Sequence, residues 1–237
     1  MITIKIANIP IGIEHKYERM AAFACDYLAE DVPQFIVSIS DEDIAAERAR
    51  TDSDFPDDYI ETIAVYRKIA EQLPRYDAFL FHGSVIDVGG DAYIITANSG
   101  VGKTTHTGLW LSEFPDAKIL NGDKPIIRII DGVAYAFGTP WCGKEGYGEN
   151  GIALVRGFAF LERAEQNRAY PIKPEDAVVR FMSQIYRPKG EREMLSKTLL
   201  LANRVIKSAV LVHLECNMQP EAAHVCRKAL CEDNKDV

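Results

Sequence analysis

Ile2, Ile4 and Ile6 alternate with polar residues, the period-two pattern of a half-buried strand over Ile2–Ile6. Over residues 14–28 the spacing becomes helical, with Met20, Phe23, Ala24, Tyr27 and Leu28 on one face. Phe35, Val37 and Ile39 return to alternation and predict a second strand. Ser40, with Asp43 three positions on, reads as the N-cap of a short acidic helix. Asp52, Ser53, Asp54 and Pro56 all favour turns, so residues 51–57 are expected as a loop. A helix over 57–73 follows, with Tyr59, Ile63, Tyr66, Ala70 and Leu73 on one stripe and Pro74 to end it.

From residue 78 the apolar runs shorten. Strands are expected over 78–81, 85–88 and 92–97, the last two joined at Gly89-Gly90. A short strand over 118–120 precedes a hairpin of 126–130 with 133–137, turned at Asp131-Gly132. An apolar strand over 152–161 is broken at Arg156 and Gly157, and the remainder reads as helix (174–186), helix (191–206), strand (209–214) and helix (220–230). The expected class is α/β: a mixed sheet over residues 77–237 and a small N-terminal α/β lobe over 1–76. With no Gly/Ser linker between them, the two parts are expected to share one core.

Composition narrows the function classes. Hydrophobic residues make up 47% and charged residues 26% of the 237, an ordinary globular balance. The net charge is −8, and nine acids between Asp41 and Glu61 face only Arg48 and Arg50. That stretch reads as a solvated helix face and loop, and the overall balance argues against nucleic acid, which rewards clustered Lys and Arg. Apolar runs such as 78–81 fall well short of the ~20 residues a membrane span needs. The alternating start lacks the unbroken apolar stretch of a signal peptide, so a cytoplasmic protein is expected. The odd count of five cysteines suggests reduced thiols. His213, Cys216, His224 and Cys226 are metal-ligand types, but their spacing scatters them over different faces, and they are read as packing residues.

The strongest chemical signal is Ala97-Asn98-Ser99-Gly100-Val101-Gly102-Lys103-Thr104-Thr105, set after an apolar strand and opening a helix. This is the setting of a Walker A loop, missed by one methyl group because Ala97 stands where the strict pattern has Gly. Gly100 and Gly102 let successive N–H groups turn toward phosphates, and the helix start adds its positive end. Lys103 would reach the β- and γ-phosphates, and the Thr104 hydroxyl would hold Mg²⁺. ATP and Mg²⁺ are therefore the expected cofactors, with residues 98–105 as the binding loop.

Three further segments flank it: His82-Gly83-Ser84 one hairpin before, Asn121-Gly122-Asp123-Lys124-Pro125 one helix after, and the Gly-rich stretch 138–150 beyond the next hairpin. In this order and spacing they resemble the HPr kinase/phosphorylase family and its relatives in the ATP-dependent phosphoenolpyruvate carboxykinase superfamily. The resemblance covers residues 78–161 well and 214–230 more loosely; residues 1–76 carry none of its motifs. It implies that His82 lies near the γ-phosphate or a metal, that Lys103 and Thr104 serve phosphate and Mg²⁺, and that Asp123 is a base or metal ligand. The family's first acid is absent, Gly122 standing in its place, so Glu145 or Glu149 would have to supply a second carboxylate. The Gly138, Gly143, Gly146 and Gly148 loop, with Trp141, Lys144 and Tyr147, is expected to be mobile and to face the substrate.

The function expected is a kinase passing the γ-phosphate of ATP to a hydroxyl, serine first, of a protein, peptide or small molecule. A carboxykinase is the second reading, against which stands a chain short for that enzyme's additional domain. A non-catalytic nucleotide-binding regulatory module is the third, favoured by the missing acid at Gly122.

Overall fold

The computed structural model describes residues 1–51, 54–98, 100–189 and 192–232. β1 (Ile2–Ile6) and β2 (Ile9–Glu14) form an antiparallel hairpin. Its turn residues Ala7 and Asn8 both have positive φ, 52° and 59°, the twist that a two-residue hairpin requires. The helix expected over 14–28 is met only by α1 (Arg19–Phe23) and a single tighter turn at Cys25–Tyr27. Ile9, Ile11 and Ile13 continue the strand period instead, and the buried Glu61 carboxylate accepts the N–H groups of Lys16 and Tyr17, which delays the helix start. Ala24 then leaves helical dihedrals and cuts the helix short.

β3 (Phe35–Ser38) adds to β2 in parallel, completing a three-stranded sheet. α2 (Asp41–Arg48) starts in the expected capping box, with Asp43 N–H on Ser40 Oγ at 3.3 Å and Ser40 N–H on Asp43 Oδ2 at 2.8 Å. α3 (Asp57–Gln72) buries Ile60, Ala64, Val65, Ile69 and Ala70 against that sheet. The acidic run is threaded with ion pairs: Arg48 to Asp57, Arg67 to Glu47 and Lys68 to Asp43.

The larger sheet follows in the order the chain lays it down. β4 (Ala78–Leu80), β5 (Ser84–Val88) and β6 (Asp91–Thr96) lead through the glycine loop into α4 (Lys103–Glu113). β7 (Ala117–Asn121), β8 (Ile126–Ile130), β9 (Val133–Phe137) and the long β10 (Ile152–Arg163) come next. β11 (Arg168–Pro171), α5 (Pro174–Ser183), α6 (Arg192–Ser208), β12 (Val210–Cys216) and α7 (Glu221–Glu232) complete it. The spatial order is β4-β8-β9-β10-β6-β5-β7, with β12 also on β10 and β11 on β12. β10 is antiparallel to β9 and parallel to β6 and β12, so the sheet is mixed.

Alternate residues of the strands feed two apolar layers. Phe79, Phe81 and Phe158 pack with Phe181 of α5 and with α6 on one face. Ile95 and Leu214 pack with Trp110 of α4 and with Cys226 of α7 on the other. The N-terminal lobe is not a separate core: Ala78, Leu80, Ile126, Phe137 and Trp141 belong to the same cluster as Ile4, Ile60 and Val65. Among the described residues no helix is long and apolar enough to cross a membrane.

Candidate active site

β6 delivers the chain to the glycine loop at the carboxyl end of the sheet. Gly100 and Gly102 take φ of 79° and 120°, conformations closed to most side chains. Ser99 lies outside the described residues. From the opposite side, Arg163 at the end of β10 donates to the carbonyls of Gly100 (2.6 Å) and Val101 (2.8 Å), fixing the loop's outer edge. The N-terminal turn of α4 then presents Lys103, half-buried, and Thr104 and Thr105, exposed.

Lys103 Nζ lies 3.2 Å from His82 Nε2, and the same Nε2 lies 3.2 Å from Asp123 Oδ1. Lys124 Nζ holds the other oxygen of Asp123 at 3.1 Å. These four side chains come from three segments tied by backbone hydrogen bonds: Phe81 N–H to Pro125 O (3.0 Å) and Gly83 N–H to Asp123 O (3.1 Å) link the first two. β7 does not run beside β6; β5 lies between them. Asp123 reaches Lys103 because the turn after β7 bends back over β5, and the agent of that bend is Asn121. Its buried Oδ1 accepts the N–H groups of Asp123 (2.9 Å) and Lys124 (2.7 Å), and its Nδ2 is held by Thr139.

His82 is oriented from behind. Gln184, just past α5, accepts its backbone N–H at 2.8 Å and meets Nδ1 with Oε1 at 3.0 Å. With Nδ1–H donated there, the neutral ring presents its Nε2 lone pair to the Lys103 ammonium; a second proton turns the same nitrogen into a donor to Asp123. Burial pulls the Lys103 pKa below the usual lysine range, only partly offset by the carboxylate of Asp123. For Asp123, burial acts to raise the carboxyl, but the hydrogen bond from His82 and the charge of Lys124 prevail and hold it at about 2.

A cavity of about 830 Å³ opens over this group, lined by Gly100, Gly102, Lys103, Thr104, Thr105, His82, Asp123, Lys124 and Arg163. Asn98 and Val101 instead face a separate space of about 290 Å³ beside Gln184 and His213. Phe23, Tyr59, Thr62, Ile63 and Tyr66 from the N-terminal lobe form a further wall of the main cavity, together with the 140–146 stretch that carries Trp141, Lys144 and Glu145. The apolar stripe expected along α3 is therefore divided. Ala70 is buried in it, whereas Tyr59, Ile63 and Tyr66 stand half-exposed at the cavity.

Gly122 has a structural reason to be glycine: a Cβ there would meet the carbonyl oxygen of Cys142 at 2.5 Å. Glu145 lines the cavity, whereas Glu149 pairs with Lys118 at 2.9 Å. The 138–150 loop is pinned rather than loose. Gly122 N–H reaches Tyr147 O (2.9 Å), Lys124 N–H reaches Trp141 O (3.1 Å) and Glu149 N–H reaches Leu120 O (3.0 Å). Its glycines permit close approach, since a Cβ on Gly138 would lie 1.7 Å from Glu149 O, or shape the tip, where Gly143 and Gly146 have positive φ. Trp141 is buried, with its indole N–H on Thr62 O at 2.8 Å, so it anchors the loop instead of sweeping over a substrate.

Among the described residues no group of three or more His, Cys, Asp or Glu side chains is placed to hold a metal ion. Magnesium in phosphoryl-transfer sites takes one or two protein oxygens and otherwise phosphates and water. The ionised Asp123 and the Thr104 hydroxyl fit that donor set. His213 pairs with Glu162 and His224 with Glu113, each at 3.0 Å, while Cys226 is buried among apolar side chains.

No model of a known protein family matches the chain, and no curated protein matches it in sequence. Among solved structures, the Hpr(Ser) kinase/phosphatase from Coxiella burnetii is similar to 53% of this chain over 96% of its own, at 11% identity and a TM-score of 0.30.

Proposed function

We propose that the chain is an ATP-dependent kinase that transfers the γ-phosphate to a hydroxyl group, serine or a small alcohol. The observation that carries this reading is the convergence of Lys103, His82 and Asp123 at 3.2 Å separations beside a positive-φ glycine loop at a helix start. That loop and helix end suit phosphates, and Lys103 adds a charge where the β- and γ-phosphates would lie. Magnesium, held by Asp123 and Thr104, would neutralise phosphate charge.

In the transfer, the bond between the γ-phosphorus and the bridging oxygen to the β-phosphate breaks. A bond from the acceptor oxygen to the same phosphorus forms, ADP leaves, and the hydroxyl proton is released. A carboxylate held at about 2 is a weak base, but a loose transition state asks for little deprotonation of the nucleophile. Asp123 therefore orients the acceptor and metal, and takes the proton late. The test is ADP release with a panel of hydroxyl acceptors, in wild type and in Asp123→Asn. The variant should keep nucleotide affinity within about tenfold and lose at least about a hundredfold in turnover. Equal turnover in the two proteins removes Asp123 from the chemistry; no turnover in the wild type with any acceptor removes the kinase reading.

A further inference from the structure

The wall facing the reactive group has a composition that phosphate binding does not explain. Tyr59, Ile63 and Tyr66 recur at four and three residues along α3 and stand half-exposed, while Ile60, Ala64 and Val65 beside them are buried. Trp141 completes the surface, its ring 5.9 Å from those of both Phe23 and Tyr66. Its indole N–H is satisfied by Thr62, and its carbonyl takes the N–H of Lys124, the residue after Asp123. The wall is thus held in fixed register with the carboxylate.

Its cations are already committed. Arg19 lies over Tyr59 and pairs with Asp58 at 3.5 Å, and Arg67 lies over Tyr66 and pairs with Glu47 at 2.6 Å. What α3 and Trp141 turn to the cavity is ring and aliphatic surface. Lys103, Lys124 and Arg163 line it on the other side, where the phosphates would go, and the exposed Lys144 and Glu145 of the 138–150 loop complete its charged lining. A volume of about 830 Å³ is of the size that takes a small organic ligand or a chain end.

We infer that this wall seats the acceptor, and that the acceptor carries its hydroxyl on an apolar, ring-bearing body. The inference rests on the kinase reading above. The ring would stack against Tyr59, Tyr66 and Trp141 and leave the hydroxyl at Asp123.

Saturation-transfer NMR on the full chain, with a non-hydrolysable ATP analogue and magnesium, tests it with two probe pairs. For a free small molecule the pair is 2-phenylethanol against glycerol; for a peptide end it is N-acetyl-seryl-phenylalaninamide against N-acetyl-seryl-glycinamide. The ring-bearing member of one pair should bind at least about tenfold tighter, and Tyr59→Leu and Ile63→Ser should each remove most of that preference. The pair that responds identifies the source. Tyr59→Leu keeps apolar bulk against Phe55, so the test does not depend on Ile63→Ser folding. Equal affinities within both pairs, or a preference that survives both variants, overturns the inference. A wild type that does not bind the nucleotide analogue overturns the kinase reading itself, a different and separable result.

Discussion

On the glycine-loop side of the cavity nearly every polar group has a partner: Arg163 holds the glycine loop, Asn121 holds the turn that carries Asp123, and Gln184 holds His82. On the N-terminal side the surface is ring and aliphatic carbon, positioned by one indole hydrogen bond and by the packing of α3. The first wall is built for directional chemistry, where displacement of a donor by an ångström is costly. The second is built for shape, where substitution is graded. In the kinase proposed above, a change of acceptor would fall on the second wall alone.

The comparison breaks most visibly at Lys103. Lys103→Ala should lower nucleotide affinity or turnover by at least about a hundredfold, ~2.7 kcal/mol, without lowering the unfolding midpoint, since burial of the ammonium is unfavourable to begin with. Calorimetric titration with ATP and a thermal melt check the two halves. Gly122→Ala comes next. Its Cβ would meet the Cys142 carbonyl at 2.5 Å, so stability should fall by about 2 kcal/mol, read from denaturant midpoints. If that variant is as stable as wild type, the packing of the 138–150 loop against the Asp123 turn is looser than described.

Gln184→Leu frees His82 to present either nitrogen. Turnover should fall about tenfold, ~1.4 kcal/mol, read from steady-state kinetics. The smallest effect belongs to the acidic surface: Arg48→Ala, which breaks an exposed pair with Asp57, should leave the denaturant midpoint essentially unchanged.

Much of this architecture could be read from residue spacing. The Ser40 capping box, the Asp131-Gly132 hairpin and the strand–loop–helix around Lys103 are local, and local rules locate them. β11 escaped because its residues, Arg168 to Pro171, carry no apolar alternation and pair only at the sheet edge with β12. The helix read over 14–28 failed because a carboxylate from Glu61, far along the chain, takes the N–H groups of Lys16 and Tyr17. In the site, His82, Lys103 and Asp123 carried motif signals, but Gln184 and Arg163 act through contacts 102 and 62 residues away in sequence. Tyr59, Ile63 and Tyr66 were visible only as an apolar stripe. Periodicity marks such a stripe without saying whether it meets a core or a cavity.

One irregularity in β10 decides which way its end points. Pairing with β6 runs from Val155 directly to Gly157, so Arg156 is an extra residue, held by its bond to Asp91. Side chains along a strand alternate by parity, and one inserted residue reverses the parity of everything after it. Downstream of the bulge, Arg163 turns toward the glycine loop and the main cavity, and Glu162 toward His213. A bulge-free register, with Arg156 itself opposite Tyr93, would exchange the two, setting a carboxylate against the carbonyls of Gly100 and Val101 and a guanidinium against His213. The polarity at the mouth of the glycine loop is thus set seven residues upstream, by counting.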